Sequence, residues 1–465
     1  MLDLTRLQFA VVTIYHYFFV PLSISLAATA AGLQIAWMRT DDPKYLDLTK
    51  FVGKLLIVTF AVGVVTGLVQ EFQFGMGWSA FARFYGDVFG PTLAIEGMLA
   101  FFLEATFLAL WYFGWDRLPR RLHAATIVVV AAGTLLSAFI ILAANSFMQN
   151  PVAYALDPQT GRAHLTSFTG LLLNKVNLAA FPHTMSGALM VGGALLLAIG
   201  VRRRHADTAF ATLARLGAWL TVAGGALTAI TGDHLGKVIT EVQPMKMAAA
   251  EALYATTTGA PFSIFAIGDT SGGEPFFSVQ VPKLLSILAK GAPGDTVQGI
   301  NDLQAQYVQQ FGPGSYVPMI PVAFWSFRLM IGIGMLAMAV AALYLWTSRR
   351  GRTPHRLLLR RLPLIPLLPA AGNTFGWVFT ETARQPWLAF GVSRVADGVS
   401  PGLTRPEVIA SLAGFTVVYG ILAVVWLRLV RHLSHQPLTT SLPSPAGPAT
   451  PAPSGTPAPS ETPVY

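Results

Sequence analysis

Residues 91–112 read PTLAIEGMLAFFLEATFLALWY. The stretch is long and apolar enough to cross a bilayer, yet it carries two carboxylates, Glu96 and Glu104. In an α-helix, eight residues cover about 12 Å along the axis and about 80° around it, so both groups fall on roughly one side. A carboxylate in hydrocarbon is costly unless it meets a partner, a cavity or a proton. A buried, protonated pair packed against neighbouring helices would satisfy that condition. So would a polar file running through an apolar layer, which is the sharper reading.

The remaining composition agrees. Of 465 residues, 53% are hydrophobic and 11% charged, with mean hydropathy +0.56. A soluble chain carries about 25% charged residues, so these values predict an all-α polytopic membrane protein. Apolar segments of spanning length occur at 8–37, 52–74, 92–114, 124–147, 177–201, 213–233, 321–347, 363–382 and 408–431, which predicts about nine transmembrane helices. The first reads as a span rather than a cleaved leader.

The basic residues fall in alternate connections. They are Arg39, Lys44 and Lys50; Arg117, Arg120 and Arg121; Arg202, Arg203 and Arg204; and six arginines in 348–361. Because basic loops stay in the cytoplasm, the N-terminus is predicted outside and the C-terminus cytoplasmic. The net charge of +9 is accounted for by these loops and predicts a lipid bilayer, not a nucleic acid, as partner.

Residues 1–233 then hold helices 1–6, and 234–320 form an extracytoplasmic loop. Residues 321–432 hold helices 7–9, and 433–465 a disordered Pro/Ser/Thr-rich cytoplasmic tail. The loop is too long for a bare connection and reads as functional. It contains QPMKMAAAEALYA, a candidate short helix with Lys246 and Glu251. Cysteine is absent. Thiolate sites and disulfides are thereby excluded, and any metal must be held by His, Met or carboxylate.

Candidate ligands lie inside the spans. His16 sits in span one, His183 near one end of span five beside Ser186, Gly187 and Ala188, and Met330 about nine residues into span seven. At 1.5 Å per residue, His183 and Met330 reach matched depths of roughly 10–14 Å. A His and a Met so placed supply the axial residue types of a six-coordinate haem. Arg328 could meet a carboxylate or propionate, or snorkel. Glu381 pairs by spacing with Arg384 or ligates iron. Trp377, one turn earlier, is an interfacial anchor or a packing plane.

These residues lie in a recurring set of stretches: RLQFAVVTIYHYFFVPL, IEGMLAFFLE, NSFMQNP, PHTMSG, KMAAAE, WSFRLM and GWVFTETARQPW. In this order the set resembles subunit I of the cytochrome bd-type quinol oxidases over about residues 1–432. The resemblance implies a terminal oxidase of the bacterial plasma membrane that oxidises membrane quinol and reduces dioxygen to water without pumping protons. It implies two haem b groups, one low-spin and one high-spin, and one haem d. His183 and Met330 would ligate the low-spin haem b, and His16 and Glu381 the two high-spin irons.

Glu96 and Glu104 would carry protons, with Ser137 joining them. Lys246 and Glu251 would be the quinol-reactive pair, and Arg328, Trp377 and Arg384 would steady the haems. Partners would be a subunit II and very small single-span subunits. Ala383 stands where the family has Gly, Phe147 where Trp is common, and the loop belongs to the short class. A proton-coupled transporter would explain Glu96 and Glu104 but not His183 with Met330. A haem-bearing subunit without turnover would leave Lys246 and Glu251 without a task.

Overall fold

The structure, a computed structural model, describes residues 1–268 and 274–438. The chain opens with α1 (Leu2–Thr40), α2 (Pro43–Met76), α3 (Ser79–Phe113), α4 (Arg120–Gln149), α5 (Lys175–Arg203) and α6 (Thr208–Val242). The next connection carries α7 (Pro244–Glu251) and α8 (Ile300–Phe311). Then come α9 (Ile320–Thr347), α10 (Leu367–Thr382) and α11 (Arg405–His435). Among the described residues, eight helices can each cross a membrane alone. Arg356–Leu364 and α10, bent by 41° at a short break, together have the length and apolarity of a ninth. Pro363, Pro366 and Pro369 crowd the break, where each removes a backbone donor.

Local signals explain the starts. Asp42 caps α2 by accepting from the Lys44 amide, with Pro43 in the first turn. Asn174 and Asp207 cap α5 and α6 in the same way, and a Thr404–Glu407 capping box opens α11. α6 extends to Val242, so the loop begins nine residues later than hydropathy predicts. The extra turns are polar, with Lys237 Nζ 2.6 Å from Asp233 Oδ2 one turn back. They lower the hydropathy without breaking the helix. α11 likewise runs to His435. The rest of the tail, 439–465, lies outside the described residues.

Small residues bring the central helices together. A Cβ on Gly200 of α5 would come within 2.5 Å of the Ala214 nitrogen on α6, and one on Gly217 within 2.4 Å of the Leu197 nitrogen. Without a hydrophobic drive between helices in lipid, such backbone contact supplies the packing. Around it, Leu26, Leu55, Leu56, Trp111, Leu196 and Leu213 form one buried cluster. Strand content is limited to short antiparallel pairs. β1 (Tyr154–Leu156) pairs with β2 (Ala163–Leu165), and β3 (Phe262–Ile267) pairs with β4 (Phe277–Val281), Phe262 opposite Val281. Alternation of the spans puts β1–β2 and the 243–319 loop at one end of the bundle and the basic connections at the other.

Candidate functional site

The carboxylates of α3 are not joined by regular α-helix. Met98–Glu104 is π-helical. Its i→i+5 turns are wider, so each residue rotates less. Glu96 and Glu104 therefore align more closely than the about 80° expected of an unbroken α-helix. Ser137 Oγ on α4 donates to Glu96 Oε1 at 3.0 Å. A third carboxylate lies beside the group: Glu71 of α2 neighbours Glu96. Glu104 is buried against Gly133, and its Oε1 has no partner among the described residues.

His16 and His183 share one arrangement. His183 Nδ1 lies 3.1 Å from the Thr228 carbonyl of α6, which can only accept. His16 Nδ1 lies 3.1 Å from Thr66 Oγ1, whose own proton is directed at the Val62 and Gly63 carbonyls. Both geometries assign the proton to Nδ1 and leave the Nε2 lone pair free, the form that binds a metal. A glycine lies against each candidate. A Cβ on Gly67 would be 3.0 Å from His16 Cε1, on Gly232 3.1 Å from His183 Cε1, and on Gly376 2.8 Å from Met330 Sδ. α10 links these regions: its Asn373 lies against Gly187, one turn beyond His183, while Gly376 meets Met330.

Glu381, near the C-terminal end of α10, is held on both oxygens. Asn145 Nδ2 donates to Oε1 at 2.8 Å and Arg384 Nη2 to Oε2 at 2.6 Å. Arg384 Nη1 also donates to the Trp387 and Leu388 carbonyls. Its guanidinium thus positions Glu381 and the turn after it. Trp377 stacks on Tyr17, with centroids 5.3 Å apart and planes at 4°, beside His16. Trp377 Nε1 is buried with no partner among the described residues.

α7 forms where QPMKMAAAE predicts it, but it sends Lys246 and Glu251 to different partners. Lys246 Nζ donates to Gln149 Oε1 at 2.9 Å and to the Thr380 carbonyl at 3.0 Å. Burial pushes its ammonium down to about 7. Glu251 Oε2 instead accepts from Arg328 Nη2 at 2.6 Å and from the Ser263 amide at 3.3 Å. Burial raises its pKa, and Arg328 opposes the rise. Arg328 is neither a snorkelling cation nor exposed. It also donates to the Ser263 and Ala250 carbonyls and sits among the rings of Phe262, Phe324 and Phe327. Glu251 Oε1 has no partner among the described residues.

The cavity beside Lys246 and Arg384 is lined by Gln243, Tyr307, Tyr316 and Trp387. Five polar groups in and around it lack partners among the described residues: Gln243, Gln149 Nε2, Tyr307 Oη, Arg384 Nε and Trp387 Nε1. Such a concentration of unspent donors fits water or the carboxylates of a bound group.

The donor set suits haem better than a bare ion. No group of three or more His, Cys, Asp or Glu side chains able to hold a metal occurs among the described residues. Isolated histidines with free Nε2, a thioether and a carboxylate match iron that arrives with four ring donors of its own. Sequence reasoning missed Glu71, Asn145, Tyr17 and the three glycines. Glu71 was accessible to it, since a carboxylate within an apolar span is the same signal that singles out Glu96.

A family model described as "Cytochrome bd terminal oxidase subunit I" matches residues 4–437. The Bacillus subtilis (strain 168) protein described as cytochrome bd ubiquinol oxidase subunit 1 is 39% identical over 433 residues, covering 92% of each chain. The cytochrome bd-II ubiquinol oxidase subunit 1 of Escherichia coli (strain K12) is 32% identical over 458 residues, covering 83% of this chain and 87% of its own. The solved bd oxidase from Geobacillus thermodenitrificans matches with TM-score 0.84 at 26% identity, covering 93% of this chain and 98% of that one.

Proposed function

The chain belongs to the cytochrome bd terminal oxidase subunit I family, and on that premise we propose that it oxidises membrane quinol and passes the electrons to dioxygen. Haem supplies the redox chemistry. His183 with Met330 would hold one low-spin haem b, and His16 and Glu381 the irons of a high-spin haem b and a haem d. The free Nε2 atoms of His16 and His183 support the ligand assignment. Asn145 and Arg384 hold the Glu381 carboxylate in place. A second membrane subunit, and small single-span ones, would complete the complex.

The observation that carries the quinol site is the buried pair of Glu251, in the connection between two spans, with Arg328 of α9. Arg328 fixes one carboxylate oxygen and leaves Oε1 to accept a proton from a quinol hydroxyl. Lys246, on the same helix but turned toward Gln149 and Thr380, is a second buried cation on the loop side. Since basic connections stay in the cytoplasm, the loop end of the bundle would lie outside. Quinol protons would leave on the loop side, and the protons that form water would arrive through Glu104, Glu96 and Glu71, with Ser137 holding Glu96. Proton motive force then follows without a pump.

The test is Glu251→Ala in the assembled enzyme. Quinol-dependent oxygen uptake should disappear while the reduced-minus-oxidised haem bands persist. Undiminished uptake would remove Glu251 from the reaction.

A further inference from the structure

The β3–β4 hairpin is an anomaly for a water-exposed loop. Residues 260–268 and 275–282, which include both strands, contain no charged side chain. Ile264, Phe265 and Ile267 of β3, Phe277 and Val279 of β4, and Phe276 just before it are all exposed, Phe276 by 77%. Neighbours along a strand point to opposite faces. Cross-strand partners share a face, and the pairs Phe265–Val279 and Ile267–Phe277 therefore make one bare apolar face, with Ile264 at the bulge and Phe276 just outside the strand exposed beside it.

The hairpin is also low. The Phe265 ring meets the Trp325 ring edge-on at 5.2 Å. Trp325 is five residues into α9, which is about 8 Å below the start of that span. That depth is the boundary between headgroups and hydrocarbon, where aromatic side chains concentrate. The unpaired edges of a two-stranded ribbon forbid a deeper position.

Between the hairpin and α9 lies a cavity of about 140 Å³ lined by Ala252, Tyr254, Ala266, Ile267, Phe324 and Trp325, among others. Its wall leads to the reacting pair. Phe324 lies 4.1 Å under the Arg328 guanidinium, Ala252 follows Glu251, and Ser263 of β3 bonds both members of the pair.

We propose that the β3–β4 hairpin lies in the outer edge of the loop-side leaflet and roofs a lateral portal through which a lipid-borne quinol reaches Glu251. The inference rests on the quinol-site reading of Glu251 and adds its route of access. Ile264, Phe276 and Val279 meet lipid, while Ser263 on the same strand ties the hairpin to Glu251 and Arg328.

The chain has no cysteine, so single cysteines label cleanly. Ile264→Cys, Val279→Cys and, as a water-side control, Gln298→Cys are labelled with a nitroxide in the assembled enzyme in liposomes. Positions 264 and 279 should relax strongly with oxygen and weakly with a water-soluble nickel chelate, and 298 the reverse. Nickel access at 264 and 279, or protection from both reagents, would overturn the leaflet placement.

Phe276→Asp, which alters a side chain with few packing contacts to lose, should raise KM several-fold for a long-tailed quinol. It should leave kcat, and turnover of a tailless quinol, unchanged. Equal KM for the long-tailed quinol would overturn the portal. Failure of the quinol-site reading looks different: tailless quinol would still turn over in Glu251→Ala.

Discussion

Replacing Arg328 by Met tests how the buried pair works. The Met stem can occupy the space between Phe262, Phe324 and Phe327, and a thioether packs well against rings. The change is therefore chiefly electrostatic: Glu251, 4% exposed, loses its 2.6 Å partner. Removing one member of a buried ion pair costs about 3–5 kcal/mol. The carboxylate escapes most of that cost by holding a proton. At about 1.4 kcal/mol per tenfold, even the lower figure shifts the ratio of ionised to protonated carboxylate about a hundredfold. The ionised form is the proton acceptor, and loss of a neighbouring cation favours the protonated form. Turnover should thus fall, by up to about a hundredfold where the carboxyl is mostly protonated, and recover as pH rises. Arg328→Lys, which keeps a cation, should restore most of it. The assay is quinol-dependent oxygen uptake across the neutral-to-alkaline range, with the haem spectrum recorded on each sample because Met330 is two residues away. A loss of equal size at every pH would refute the electrostatic role of Arg328.

Met330→Leu should convert the low-spin haem to high-spin or remove it, read in the reduced-minus-oxidised spectrum; an unaltered band removes Met330 as a ligand. Gly376→Ala places a methyl 2.8 Å from Met330 Sδ. Overpacking of this kind costs about 1–3 kcal/mol, so the same band should weaken, whereas Gly90→Ala, with nothing within 4 Å, should leave it intact. Lys246 is charged below about 7 and neutral above it; if its cation holds the quinol oxygen, KM should rise with pH through that value, and Lys246→Arg should abolish the trend. Glu71→Gln keeps a hydrogen-bonding side chain beside Glu96 but cannot relay a proton, so turnover should slow while quinol KM and haem bands stay unchanged.

The spans were legible because hydropathy and helix length are local properties. The prolines around 363–369 mark the broken helix for the same reason, since each deletes a donor whatever surrounds it. What hydropathy could not show is where a helix ends once it leaves lipid. α6 keeps its backbone bonds through Asp233 and Lys237, which are good enough helix residues and poor apolar ones. The π turn in α3 was hidden differently: nothing in MLAFFLE forbids ordinary α-helix.

Within the site, residue type could be read but partnership could not. Lys246 and Glu251, five apart, look like a pair because proximity in sequence is the only proximity a sequence displays. In the fold, Glu251 is bonded to Arg328, 77 residues away, and Lys246 to Gln149, 97 residues away. Charge explains the choice. A Lys–Glu contact across one helix turn at the membrane edge would leave Arg328 buried with no anion, a larger cost than separating the two α7 side chains. The guanidinium also takes the Ser263 and Ala250 carbonyls, which an ammonium could not reach in the same fork. The loop is thereby fastened to α9 at the point where Glu251 must stay buried, and Lys246 is released to span α4 and α10 beside Glu381. The division of α7 into an acid that faces one span and a base that faces two others is a consequence of where the single arginine of α9 lies.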